Sequence, residues 1–263
     1  MEGFRTWSVG TDGGVVTAAL PEPLRFPSGP VPDWMSRCAS AIRDDLRALP
    51  VADGTILEAT LAGAPRGAVE LADALLYNPR IPEAQVAVGV RLRAARGADC
   101  EGIVQRYRRV PAAAVAGEDE PAVRASLQVP IAGVFELDSA RLVWLAVRRV
   151  AVGTLPVVDP APPGGLALHV RLATGSDRER GSTELIKRLL DGVRASFQVY
   201  AGENPAEAAR RLGGELRAGE SEVLDLLNSP RAGLLGAGDR FGSVELEILA
   251  SERPQLEIEV RDI

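Results

Sequence analysis

Glu184, Lys187 and Asp191 are the residues of this chain whose types and spacing come closest to a chemical site. A predicted helix places them on one face, where two carboxylates and an amine could bind a cation or move a proton. Hard cations such as Mg²⁺ need carboxylate oxygens that converge, and residues seven positions apart cannot both lie at a helix start. We therefore assign no catalytic residue from the sequence and keep these three as candidates.

Lys187 is also the only lysine among the 30 Lys and Arg residues. The abundance of Ala, Gly, Arg and Pro is typical of a GC-rich bacterial genome, in which Arg codons displace Lys codons. Since Lys is a compact point charge and Arg a planar fork, a surviving lysine indicates a place where Arg does not fit. We expect Lys187 to be partly buried and either paired with a carboxylate or facing a groove. Chance retention on a solvated helix face is the alternative.

Composition argues against several other kinds of site. The single histidine, His169, is too few for a His-based metal site or a Ser-His-Asp triad, and we expect it to be structural. Cys38 and Cys100 lack the CxxC spacing of zinc sites. The N-terminus does not resemble a signal peptide, and no apolar run is long enough to span a membrane. We expect a cytoplasmic protein with no metal, no cofactor and no membrane partner.

Arginines cluster at three places, where they either solvate the surface or line a basic groove. Arg178 and Arg180 precede Lys187, and these three residues are the candidate nucleic-acid contacts. The other clusters are Arg106, Arg108 and Arg109, and Arg148 with Arg149. The net charge of −6 argues against extensive coating of DNA or RNA, so any nucleic-acid binding by the chain alone should be weak.

Hydrophobic periodicity predicts an α/β (α+β) fold with mixed sheets and helices. Strands are predicted at 13–20, 55–61, 85–93, 103–110, 124–129, 133–137, 141–152, 166–172, 243–249 and 255–260, the last two as a hairpin. Helices are predicted at 33–46, 67–77, 183–200, 205–216 and 221–228. The predicted N-caps are Asp33, Asn204, Ser221 and either Ser182 or Thr183.

A Pro-rich segment at 156–163 is the clearest linker, with four prolines in eight residues. It predicts an N-terminal α/β half at 1–155 and a C-terminal α/β half at 164–263. Because the two halves are small, they can also pack as one unit.

Two stretches, residues 58–76 and 169–190, match one another. Each reads as strand, loop and helix with an Arg-Gly-x-x-Glu-Leu opening, and Lys187 is matched by Asp73. The identical positions are Leu61/Leu172, Ala62/Ala173, Arg66/Arg180, Gly67/Gly181, Glu70/Glu184, Leu71/Leu185, Leu75/Leu189 and Leu76/Leu190. The match predicts two duplicated strand-loop-helix halves that form an internal pseudo-dimer about a pseudo-twofold axis, with chance matching as the alternative.

The second of these helices resembles the signature of the RusA-like Holliday junction resolvases. That family carries Asp-x-Asp-Asn-Leu-x-Lys-x-x-x-Asp-x-Leu at the start of a helix that follows a strand. Over about 15 residues, Leu185, Lys187 and Asp191 fall at the Leu, Lys and last Asp positions, and Val193 replaces the final Leu. Members of the family are small α/β homodimers that cut branched DNA with Mg²⁺. The resemblance implies a nucleic-acid enzyme as ancestor and suits a fused pseudo-dimer.

The departures from this signature fall on the metal-binding positions. Gly181 and Thr183 stand where the family has aspartates, and Glu184 stands at the Asn position. We favour a non-catalytic binding or assembly subunit that acts with a partner protein, in which Lys187 contacts a phosphate or an internal carboxylate. A metal-dependent nuclease with a rearranged carboxylate set is the second interpretation. A protein-interaction module with no nucleic-acid role is the third.

Overall fold

A computed structural model describes residues 7–24, 31–63, 70–94, 102–112, 122–131, 138–162, 165–174, 182–236, 239–251 and 254–263. Within these residues the chain forms one nine-stranded mixed sheet, six α-helices and a π-helix, which confirms the predicted mixed α/β fold. No helix in this part of the chain is both long and apolar enough to cross a membrane.

Strands and helices follow one another in a similar order from β2 to β5 and from β6 to β9, and α5 and α6 are additions in the second of these stretches. The strands are β1 (Ser8–Asp12), β2 (Val15–Leu20), β3 (Thr55–Ala62), β4 (Gly89–Ala94), β5 (Ile103–Pro111), β6 (Val123–Pro130), β7 (Leu166–Thr174), β8 (Ser243–Ala250) and β9 (Gln255–Asp262). The helices are α1 (Asp33–Ala48), the π-helix (Asp73–Tyr77), α2 (Glu83–Val86), α3 (Ala140–Thr154), α4 (Thr183–Phe197), α5 (Pro205–Leu216) and α6 (Glu220–Asn228). As predicted, Ser182 caps α4 and Asn204 caps α5.

The strand order contains two copies of one topology. The strand order in the sheet is β1-β2-β5-β3-β4-β8-β7-β9-β6. Apart from β1, the second half repeats the first in reverse order, so that β2, β5, β3 and β4 correspond to β6, β9, β7 and β8. β3 pairs parallel with β4 and antiparallel with β5, and β7 pairs in the same way with β8 and β9. β4 and β8 meet antiparallel at the centre, which places a pseudo-twofold axis between them. The strand-loop-helix units predicted to be duplicated are thus parts of a larger repeat.

The first repeat runs from β2 to β5, and the second from β6 to β9. The Pro-rich segment 156–163, predicted to link the two halves, lies between α3 and β7 inside the second repeat. β6 and α3 precede that segment, yet β6 pairs with the C-terminal strand β9. The second repeat also carries an insertion, α5 and α6, between α4 and β8. The corresponding connection of the first repeat, which is described throughout, holds only the single turn α2.

The helices cover one face of the sheet, and alternate strand residues point into the core between the two layers. These inward residues are apolar at equivalent positions of both repeats. They include Val16, Ala18 and Leu20 in β2, Leu127 and Val129 in β6, and Ile131 directly after β6. One apolar cluster takes residues from both repeats, so the repeats share a single core. The opposite face, which we call the outer face, carries most of the polar strand residues, although Gln105 points inward and donates to the backbone oxygen of Ala74.

The segment 141–152, predicted as a buried strand, is instead the helix α3. Ser139 caps it by accepting a backbone hydrogen bond. The helix is buried on two sides, because Val143 and Val147 pack in the main core while Leu145 packs in the apolar cluster of α5 and α6. A helix with two apolar faces has a nearly continuous apolar run, which is also the pattern of a buried strand.

Other predicted elements differ in smaller ways. β8 and β9 do not form a hairpin, because β7 lies between them. Ser221 and Asp33 lie in the first turns of α6 and α1 and make no capping hydrogen bond with their side chains. The predicted strand at 85–93 begins as the helical turn α2 before β4. The predicted strand at 133–137 lies outside the described residues.

Candidate interaction site

Lys187 lies where α4 meets the π-helix, and its ammonium is held between two carboxylates. Nζ donates to Asp73 Oδ1 and lies 3.1 Å from Asp191 Oδ2. The ring of Tyr77 lies beside it, with its centroid 5.3 Å from Nζ. With 26% of the side chain exposed, the prediction of a partly buried Lys187 paired with a carboxylate is confirmed.

The Lys187 contacts belong to a larger ion-pair network between the two repeats. Glu70, which precedes the π-helix, accepts a hydrogen bond from Arg194 of α4, and its Oε2 lies 3.0 Å from Arg240 Nε. Arg194 also lies 3.7 Å from Asp191. Three carboxylates therefore face three cations. Such a balanced network joins helices and leaves no excess of negative charge to attract a metal cation.

The environment of Lys187 keeps its amine protonated. Burial lowers the pKa of Lys187, but the hydrogen bonds and charges of Asp73 and Asp191 outweigh burial and raise the pKa above its ordinary value. A general base or a nucleophile requires a neutral amine, which needs the opposite shift. Lys187 therefore acts here as a fixed positive charge.

We expect Lys187→Arg to lower the unfolding free energy by about 1 kcal/mol, because a longer planar guanidinium does not fit the point between Asp73 and Asp191. The matched control is Arg47→Lys on α1, where the exposed Arg47 pairs with Asp44. That exchange should change the unfolding free energy by less than about 0.5 kcal/mol. Urea denaturation measures both variants. Equal losses would show that the Lys187 position has no preference for an ammonium.

Glu70 gives this network a pH dependence. Burial raises the pKa of Glu70 above the ordinary carboxyl value of 4.5, although the charges of Arg194 and Arg240 oppose the shift. The folded state therefore holds this proton more tightly than the unfolded state does. Protonated Glu70 therefore contributes fully to the unfolding free energy at a pH below its ordinary pKa. This contribution is lost as the pH rises through the raised pKa of the folded state.

We expect Glu70→Gln to flatten the dependence of unfolding free energy on pH from about 4.5 upward, because the titrating group is removed. The matched control is Glu222→Gln. Hydrogen bonds from Arg149 lower the pKa of Glu222, so its titration falls below this window and the slope should stay. Urea unfolding at several pH values gives the slope. An unchanged slope in Glu70→Gln would contradict a raised pKa of Glu70 in the folded state.

The three catalytic candidates do not converge on one point. Glu184 lies in the exposed first turn of α4 and pairs with Arg188, whereas Asp191 lies two turns further on, inside the network. Among the described residues, no group of three or more His, Cys, Asp and Glu could hold a metal ion. Arg178 and Arg180 lie outside the described residues, so a basic groove formed by them stays a prediction.

The outer face carries a charge pattern that sequence reasoning missed. If β3 is aligned on β7 with Leu61 at Leu172, the registers of the neighbouring strands align β4 on β8 and β5 on β9. Four arginines of the first repeat then occupy the same positions as four glutamates of the second. The pairs are Arg91/Glu245, Arg93/Glu247, Arg106/Glu257 and Arg108/Glu259. We call the outer surface of β5, β3 and β4 the arginine half, and that of β8, β7 and β9 the glutamate half.

The two halves meet at a buried ion pair. Arg91 and Glu245 lie directly opposite each other in the central pairing of β4 with β8. Arg91 Nε and Nη2 donate to the two carboxylate oxygens of Glu245 at 2.8 and 2.9 Å, and both side chains are almost fully buried. These hydrogen bonds raise the pKa of Arg91 even though burial lowers it. The two parallel hydrogen bonds favour the observed register of β4 against β8, where the two repeats meet.

The outer ends of the two halves are accessible. In the arginine half, Arg106 is exposed, and the side chains of Arg93 and Arg108 are 50% and 58% exposed. A hollow of about 430 Å³ lies at the glutamate half; charged side chains of β7, β8 and β9 line it together with residues of β6 and Ala112. His169 lies in this hollow, where burial lowers its pKa although the charge of Glu245 opposes the shift. Among the described residues, this surface carries charged side chains and no paired nucleophile and base.

The comparisons with known proteins leave the family open. No protein-family model matches the chain, and no curated protein matches it. Among solved structures, the chain is similar to one of cyanuric acid hydrolase, described as evolutionary innovation by structural concatenation. The identity is 12% and the TM-score 0.22, and the alignment covers 97% of this chain and 67% of that one. A likeness this weak carries no argument about activity.

Proposed function

We propose that this chain is a non-catalytic binding or assembly protein that acts with a partner protein, and that the outer face is its binding surface. The observation that carries the proposal is the inversion of charge between the two halves of that face. Opposite charges at the two accessible ends of this face give a partner a fixed orientation and speed its approach. The state of the catalytic candidates supports the same view, since Lys187 and Asp191 are held in ion pairs with one another and with neighbouring residues.

A RusA-like ancestry remains part of this proposal. The signature residues Leu185, Lys187 and Asp191 lie on α4, which follows the strand β7 as the family's signature helix follows a strand. Thr183 occupies a metal-binding position of the family and supplies no carboxylate. A degenerate relative of a nuclease would keep the helix and lose the cation.

We expect the purified chain to leave four-way junctions and duplex DNA intact in Mg²⁺ or Mn²⁺. One exposed acid at the helix start, Glu184, cannot by itself hold and orient a catalytic cation. Gel analysis after long incubation measures the product, and a Glu184→Gln variant prepared identically is the control for contaminating nucleases. Cleavage that disappears in Glu184→Gln would establish the rearranged nuclease instead.

The protein-interaction module without a nucleic-acid role is the second candidate, and the overall charge of −6 favours it. Fluorescence anisotropy with a labelled junction separates it from the first. A few arginine contacts give weak binding that falls steeply with salt and is lost in Arg106→Glu. Absence of any binding at low salt would leave the interaction module.

A further inference from the structure

We propose that a cavity between the α5–α6 insertion and the helices α3 and α4 binds an uncharged aromatic small molecule. The cavity, which we call the insertion pocket, has a volume of about 570 Å³, and the segment 198–202 forms its remaining side. It lies in the helical layer, away from the outer face, so this inference goes beyond the proposed function. Three features carry it: the construction of the pocket, its apolar and aromatic wall, and the pairing of every charge in that wall.

The pocket is formed by side chains that lie one turn apart on each of two helices. Ala140 and Trp144 of α3 line it on one side, and Asp191 and Ala195 of α4 line it on another. Leucines of α5 and α6 close it, and these two helices form the insertion that the first repeat lacks. Small-molecule sites are typically concave, largely apolar cavities of about 300–1,000 Å³, and the insertion pocket has these properties.

The wall of the pocket leaves apolar surface in contact with water. Val199, which follows α4, is 41% exposed. Trp144 and Tyr200 are only partly buried, although both pack against the apolar cluster of α5 and α6. An aromatic ligand among these three residues would remove apolar surface from water and bring its rings against two others. The Trp144 indole N–H and the Tyr200 hydroxyl form no hydrogen bond with the described residues, so both remain available to an acceptor atom.

Every charged side chain among the described residues of the wall already has partners within the chain. Arg141 donates to Glu215. Asp191 and Arg194 belong to the ion-pair network between the two repeats. Arg148 donates to three backbone oxygens. A charged ligand would lose its hydration on entering this pocket and would find no free counter-ion there, which makes its transfer from water unfavourable. An uncharged ligand has no such penalty.

Fluorescence titration with two dyes of matched shape tests the chemical class of the ligand. N-phenyl-1-naphthylamine is uncharged and aromatic, and we expect it to bind at one site with a Kd on the order of 1–100 µM. The anion 8-anilino-1-naphthalenesulfonate has the same rings and a sulfonate in addition. It should bind about tenfold more weakly or less tightly still, because it brings a charge into the pocket. Equal affinity for the two dyes would overturn the uncharged class.

Two substitutions test whether the neutral dye occupies the insertion pocket. Ala195→Phe should fill part of the pocket and raise the Kd of the neutral dye about tenfold or more. Its matched control is Ala206→Phe on the exposed surface of α5, which adds the same side chain outside the pocket. Val199→Asp should have a similar effect by placing a carboxylate in the wall. Its control is Val51→Asp, at a similarly exposed valine of the first repeat.

Circular dichroism and urea unfolding show whether each variant is folded. If Ala195→Phe does not fold, Val199→Asp provides the test, because an exposed position tolerates a polar side chain. Failure of the neutral dye to bind, or binding that the folded pocket variants leave unchanged, overturns the inference. The proposed function of the outer face does not depend on this result, since its own tests concern cleavage and binding of junction DNA.

Discussion

Replacing Arg148 by Met is expected to lower the unfolding free energy by about 3–5 kcal/mol. Arg148 is only 2% exposed. Its Nε, Nη1 and Nη2 donate to the backbone oxygens of Leu226, Ser196 and Ser229 at 3.1, 2.7 and 2.8 Å. These oxygens belong to the C-terminal ends of α4 and α6, where a positive charge is favourable. Met fills a similar volume but leaves three carbonyl groups without their donor.

The neighbouring residue provides the matched control. Arg149 is exposed on α3 and pairs with Glu222, so Arg149→Met should change the unfolding free energy by less than about 1 kcal/mol. Urea denaturation measures both variants, and hydrogen exchange should locate the loss of protection in Arg148→Met at α5 and α6. Similar losses in the two variants would mean that the buried guanidinium does not hold the insertion in place.

Gly192→Ala is expected to lower the unfolding free energy by about 3 kcal/mol, because α3 crosses α4 at this glycine. A Cβ at this position would lie 2.5 Å from both the carbonyl oxygen of Ala140 and the Cβ of Val143. The first of these contacts is with backbone, so the two helices must move apart to relieve it. Such a shift would also disturb the apolar core that both helices share with the sheet.

Gly214 on α5 is the control for the intrinsic effect of this exchange. No atom lies within 4 Å of a Cβ built there, so Gly214→Ala should raise the unfolding free energy by about 0.5–1 kcal/mol through helix propensity. The two Gly→Ala exchanges are therefore predicted to have opposite signs. Thermal and urea unfolding measure both, and a stabilising Gly192→Ala would contradict the close approach of α3 and α4.

Local patterns located most of the elements, and the failures have a common cause. The alternation of 243–249 and 255–260 gave two strands correctly, but alternation does not reveal which strand lies beside which. β7, more than 80 residues away from the end of β9, is inserted between them. Arg148 was missed for a related reason. Sequence alone groups it with Arg149 as a charged pair that solvates the surface or lines a basic groove, because the α5–α6 insertion that buries it is distant in sequence.

The only part of the site that could be predicted was Lys187, because its occurrence as the single lysine is informative without any knowledge of the fold. Lys187 could be expected to pair with a carboxylate because it alone resisted replacement by arginine. The residue aligned with Lys187 in the internal match is Asp73, which is its hydrogen-bond partner in the structure. The match alone does not show that equivalent positions are in contact. The charge inversion of the outer face was invisible, since it appears only after the registers of β3 with β4 and of β7 with β8 are known.

The ion pairs at the pseudo-twofold axis also bear on how such a chain can evolve. In a dimer of identical subunits, a residue on the axis always faces its own copy, so a charge there meets its like and is selected against. Covalent fusion removes that restriction, because each copy of the position mutates separately. Arg91 facing Glu245, and Lys187 facing Asp73, are contacts that identical subunits cannot make. Two copies of either repeat alone could form neither contact, so each contact requires the two repeats to differ at these positions.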